Sequence, residues 1–248
     1  MRSGNPALNQ NSFGDLSYDM SHRMTLQGTV FKSGVLLLLV VMAASWTWEL
    51  FFTTESVDAV YPYLVGGSIG GLITALVIIF KKTTAPFLAP VYAVLEGLAI
   101  GAISAVVQSQ FPEIPIVAQA AALTFGTFGA LLLAYTSRLI KPTENFKLGV
   151  VAATGGIALV YLITFMLGWF GISVPFIHDS GPIGIGVSVF IVIIAALNLV
   201  LDFDFIENGV KRGAPKHMEW YAGFGLVVTL VWLYIEFLRL LMKLNDRR

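Results

Sequence analysis

The sequence predicts an all-α polytopic membrane protein of seven transmembrane helices, and three observations predict it. Of its 248 residues 56% are hydrophobic and only 12% charged, about half the charged share of a soluble domain. Seven apolar segments are long enough to cross a hydrocarbon core of ~30 Å, which takes about 20 helical residues. The basic residues cluster in alternate connections between those segments. Other classes drop out on composition. The chain has no cysteine, which excludes disulfides, iron–sulfur clusters, thiolate zinc sites and cysteine nucleophiles. A net charge of zero shows no basic or acidic tail, so no nucleic acid is expected as a partner.

The elements follow in order. Residues 1–28 are polar, so they are expected to form a short cytoplasmic segment with no cleavable signal peptide. The spans are expected at roughly 29–52, 60–80, 85–108, 115–137, 147–170, 182–204 and 219–242. Together they make a single membrane domain over 29–244, with a tail at 245–248. Ala85-Pro86 and Gly181-Pro182 open two of them, with proline where a helix start tolerates it. Gly67-x-x-x-Gly71 and Gly97-x-x-x-Gly101 form small-residue faces that let helices approach closely, and Gly126, Gly129, Gly155 and Gly156 read the same way.

Charge sets the orientation. The connections 53–59, 109–114 and 171–181 hold no Lys or Arg. Arg2, Arg23, Lys32, Lys81, Lys82, Arg138, Lys141, Lys147, Lys211, Arg212 and Lys216 fall in the other four regions. The positive-inside rule makes those four cytoplasmic. Arg239, Lys243, Arg247 and Arg248 end the chain, and a seventh full crossing places them outside, against the rule. A full crossing is expected nonetheless, because the segment is long enough.

Ionisable groups inside spans are costly and are candidate functional residues. Glu96 lies about eleven residues into the third segment, roughly 16 Å deep. It is expected to face the bundle interior and to be mostly neutral at pH 7, either as a hydrogen-bonded structural group or as part of a pore. Asp202 and Asp204 point about 200° apart on a helix. Asn198, one turn before Asp202 on the same face, makes Asp202 the better inward candidate. Both acids could instead mark the end of the sixth segment in water. Glu236 and Arg239 at i, i+3 can pair locally. The three histidines, His22, His178 and His217, are too scattered for a metal set. No phosphate-cradling, zinc-protease or serine-hydrolase motif occurs, so neither an enzyme nor a bound cofactor is expected.

Three stretches carry a resemblance: Ser3-Gly-Asn-Pro-Ala-Leu8, the run from Pro86 to Leu98, and Leu233-Tyr-Ile-Glu-Phe-Leu-Arg-Leu-Leu241. Together they resemble the Bax inhibitor-1 family and, more narrowly, its bacterial branch. The resemblance implies seven helices with the last one central, in a bacterial inner membrane. It implies a pH-sensitive calcium leak or a role in suppressing stress-induced death. Partners would be the lipid bilayer and other membrane proteins, in a monomer or small homo-oligomer. The family's proton-sharing acid pair maps onto Asp202 and Glu236, which could also hold calcium as a bound or transported ion. This chain departs from the pattern: Phe203-Asp204 replaces Thr-Gln, Glu236 replaces Asp, and the connection before the last segment is some ten residues longer. Bringing Asp202 and Glu236 together is expected to require a break in the last helix at Gly223-Phe-Gly225. A regulator working through helix–helix contacts is the alternative function.

Overall fold

Helix punctuation in the sequence decides where each span begins and stops. The computed structural model describes residues 23–171 and 180–246. Arg2, His22, His178, Arg247, Arg248 and the Ser3–Leu8 stretch lie outside them. Among the described residues, seven helices are long and apolar enough to cross a membrane. They are α1 (Leu26–Thr54), α2 (Val57–Phe80), α3 (Ala85–Gln110), α4 (Ile116–Thr136), α5 (Glu144–Trp169), α6 (Pro182–Lys211) and α7 (Met218–Asn245). A single 3-10 turn, Lys82–Thr84, leads into α3. Thr25 caps α1 by accepting a hydrogen bond from the Gly28 N–H at 3.0 Å, and Thr143 does the same for α5 at Phe146. Pro182 sits in the first turn of α6, where its missing N–H costs nothing.

The packing makes α7 the central helix: it lies against α1, α3, α4 and α6. Leu199 and Phe203 of α6 meet Leu230, Leu233 and Phe237 of α7 in the largest buried cluster. The glycine faces on α2 and α3 do what their spacing implies. A Cβ on Gly67 would meet Leu95 O of α3 at 2.5 Å, and one on Gly97 or Gly101 would enter the α1 backbone near Val40 and Ala44. Gly126, Gly129, Gly155 and Gly156 behave differently: nothing lies within 4 Å of the position a Cβ would take. Spacing identifies a small-residue face but cannot say whether a helix lies opposite it.

Two further expectations are corrected. The sixth helix does not end near residue 204 but runs to Lys211. Its extra turns are held by the ion pairs of Glu207 with Arg138 and Lys211 and by Ile206, buried against Met24 and Ala222. The last helix is continuous from Met218 to Asn245, so no break occurs at Gly223–Gly225. Gly223 instead lets α7 approach α1, where its missing Cβ would touch Ser33 Oγ at 3.1 Å.

The basic residues expected on one side do gather at one end of the bundle. Lys82 lies over the Tyr221 ring and Lys32 over Trp220; Arg138 and Lys211 both pair with Glu207. Lys243 lies at the other end, where it donates to Gly184 O at 3.1 Å and Ser188 Oγ at 2.9 Å. A basic residue at that end therefore has a built-in site. If the basic end is cytoplasmic, cysteines placed at Glu55 and Gln110 should label from outside. Those at Lys82, Lys141 and Arg212 should not, and strong outside labelling at position 141 would overturn the orientation.

Candidate functional site

Four helices build a cavity of about 750 Å³ in the half of the bundle nearer the basic end. It is lined by α2 from Ser68 to Ile79, by Tyr92 and Glu96 of α3, by α6 from Asn198 to Phe205, and by α7 from Tyr221 to Thr229. The helices α2 and α6 do not pack against each other, and the exposed side chains of Leu72, Ile79, Phe205 and Val228 rim the gap between them. Glu96 reaches the cavity from the middle of α3. Its Oε2 would be 3.0 Å from a Cβ on Gly71, so that glycine of α2 makes the room for it. Tyr92, one turn earlier on the same face, lies against the Glu96 carboxyl.

Asp202 enters the same cavity from α6. Its Oδ2 is shielded and takes no hydrogen bond, although Thr229 of α7 approaches the carboxyl. A buried acceptor without a donor is uncommon and asks for an explanation. Asn198, one turn away, lines the same wall while its amide donates to Thr154 of α5 and to Ile194 O, both at 2.8 Å. No Lys, Arg or His belongs to the lining.

The other acids have their own partners. Asp204 faces away from the cavity, pairing with Lys147 at 2.8 Å and accepting from Asn208 at 2.9 Å. Beside it Glu207 accepts two hydrogen bonds from Arg138, at 2.6 and 3.1 Å, and one from the Tyr135 hydroxyl. Glu236 is 1% exposed and is held by the Tyr161 hydroxyl of α5 at 2.9 Å and by Arg239 at 3.3 Å. Arg239 also donates to the Tyr161 hydroxyl and stacks over its ring. The structure thus does not bring Asp202 and Glu236 together. The α7 residue beside Asp202 is Thr229, and seven residues of continuous helix, about 10 Å, separate it from Glu236. Glu96 and Asp202 are the two acids brought to one cavity.

The helix α5 is fastened by a polar stripe. Lys147, Thr154 and Tyr161 recur every seven residues, which keeps them on one side of the helix. They hold Asp204, Asn198 and Glu236 respectively. Of these, sequence reading missed Thr154 and Tyr161, although their spacing from Lys147 was visible. It also missed Tyr92, which the i, i+4 relation to Glu96 would have offered.

The family model described as Bax inhibitor 1 like matches residues 5–246, nearly the whole chain. The chain belongs to this family. Among curated proteins and among solved structures, none matches it. In this Bax inhibitor 1 like chain the departures noted in the sequence have physical consequences. Residues expected to connect to α7 become extra turns of α6, so Glu207 joins Asp204 among the ion pairs at the basic end. The last-helix acid, Glu236, has a cation three residues away and a tyrosine facing it, so it needs no second acid.

Proposed function

We propose that this chain is a cation-leak protein of the membrane in which Glu96 and Asp202 form the ion-attracting part of the path. The observation that carries this reading is the pair of carboxyls on one cavity with no basic residue in its lining and with Asp202 Oδ2 unpartnered. When protonated, the two are neutral and hold no cation. When they lose protons, two negative charges line one cavity of low polarity. A cation is then drawn into the cavity, so flux rises with pH. Calcium is a candidate because it prefers carboxylate oxygens. With only two carboxyls in reach it would keep much of its water. The orientation that goes with this reading has the basic end on the cytoplasmic side of a bacterial inner membrane.

Purified protein in liposomes tests the reading through calcium flux measured against pH. Wild-type flux should rise with pH, and both Glu96→Gln and Asp202→Asn should lower it and flatten the slope. The double variant should be at least as impaired as the stronger single one, because each carboxyl adds its own charge to the lining. Wild-type flux profiles in both single variants would remove the carboxylate path. The regulator that acts through helix contacts would then be the better reading.

A further inference from the structure

We propose that the cavity between α2 and α6 is a binding site for an organic cation, a primary ammonium carried on an apolar body. The inference rests on the reading of that cavity as cation-attracting, and it adds the class of ligand. Size comes first. About 750 Å³ falls within the ~300–1,000 Å³ of small-molecule sites and far exceeds what a stripped metal ion fills. Donor chemistry points the same way. A calcium ion takes six to eight oxygen ligands, yet among the described residues no group of three His, Cys, Asp or Glu side chains could hold a metal.

The lining fits an ammonium with an apolar tail. Asp202 lines the cavity with no basic residue in the lining beside it, and an ammonium supplies the charge and the N–H donors that its carboxyl can use there. Glu96 supplies a second carboxyl across the cavity, and Asn198, Ser68 and Thr229 supply further polar atoms. The remaining wall is apolar or aromatic, with Leu72, Phe205, Tyr221 and Phe224 prominent. Aromatic faces attract ammonium groups; Lys82 Nζ already occupies one at Tyr221, 5.3 Å from the ring centre, which leaves the Phe205 ring to a ligand. The gap between α2 and α6 opens sideways, which would let an amphiphilic amine enter from the bilayer with its body among the rim side chains.

Equilibrium dialysis of radiolabelled 2-phenylethylammonium against the full chain in nanodiscs tests this, with empty nanodiscs as the blank. Saturable binding is expected, with 2-phenylethanol a poor competitor because it lacks the charge. Asp202→Asn and Glu96→Gln should each weaken binding about tenfold, the loss of one charge-assisted contact. Ala75→Phe fills the cavity and spares both carboxyls, so it should block binding in a protein whose melting is checked alongside. Equal binding by the wild type, both carboxyl variants and Ala75→Phe would overturn the inference, as would equal competition by the alcohol. Calcium flux on the same preparations separates the two readings. Flux without saturable ammonium binding rejects this inference and leaves the leak, whereas carboxyl-dependent binding without flux does the reverse.

Discussion

Replacing Glu219 with alanine should cost the folded state about 3–5 kcal/mol, the usual loss when one partner of a buried ion pair is removed. Glu219 is fully buried in the first turn of α7, yet it has four polar contacts. The backbone N–H and the hydroxyl of Thr25 both donate to it at 2.8 Å, Lys216 pairs with it at 2.9 Å, and Lys32 closes the fourth contact. It therefore ties the start of α1 to the start of the central helix. Alanine leaves Lys32, whose side chain is 15% exposed, without its anion. Glu219→Gln keeps acceptors for Thr25 and loses the charge, so it should cost less, about 1–3 kcal/mol. Gly28→Ala should damage the same joint from the other side, because its Cβ would lie 2.5 Å from Glu219 Cδ. Thermal melting of purified protein in detergent checks all three, and an alanine variant that melts with the wild type would show that the joint carries no stability.

Nothing in the one-dimensional pattern reveals Glu219. A glutamate in the first turn of a helix has an ordinary explanation, since it complements the positive end of the helix dipole in water. Its partners at Thr25 and Lys32 are 194 and 187 positions away. What was legible was whatever the bilayer itself imposes. Seven spans follow from the length of apolar segments, and the gathering of basic residues at one end follows from charge placement. The glycines of α2 and α3 were legible because their partners are present, and those of α4 and α5 misled because theirs are not. Helix ends were legible only where they coincide with loss of hydropathy. Beyond Phe203, α6 continues for two turns rich in charge, held by Arg138 from the α4–α5 connection and by Lys147 of α5. The site was half legible. Glu96 and Asp202 stand out as acids in apolar segments, but which acid faces which depends on the register of three helices.

That register makes the second large effect a contrast between two acids that the sequence pairs. Asp202→Asn should fold well and should flatten the pH dependence of flux, because its Oδ2 has no partner to lose and its charge is the part proposed to attract the cation. Glu236→Leu should do the opposite. Glu236 is buried and receives hydrogen bonds from Tyr161 and Arg239, so an apolar side chain there strands both. The cost should be about 3 kcal/mol, at the low end for a broken buried pair, because Arg239 is one-third exposed and can reach water. The gentler Glu236→Gln keeps an oxygen for Tyr161 and should lose only about 1 kcal/mol, with the wild-type pH profile of flux intact. Since Tyr161 is also the last fastening of α5 on its polar stripe, Glu236→Leu should speed backbone hydrogen exchange in α5 while α1 to α3 stay protected. The decisive comparison is between Asp202→Asn and Glu236→Gln in the same liposomes. If both flatten the profile equally and the double variant adds nothing, the two acids share one switch. The gate then forms by a movement of α6 against α7 that brings them into contact. If only Asp202→Asn flattens it, Asp202 acts without Glu236, and the acid of the last helix in this chain serves to hold α5 in place.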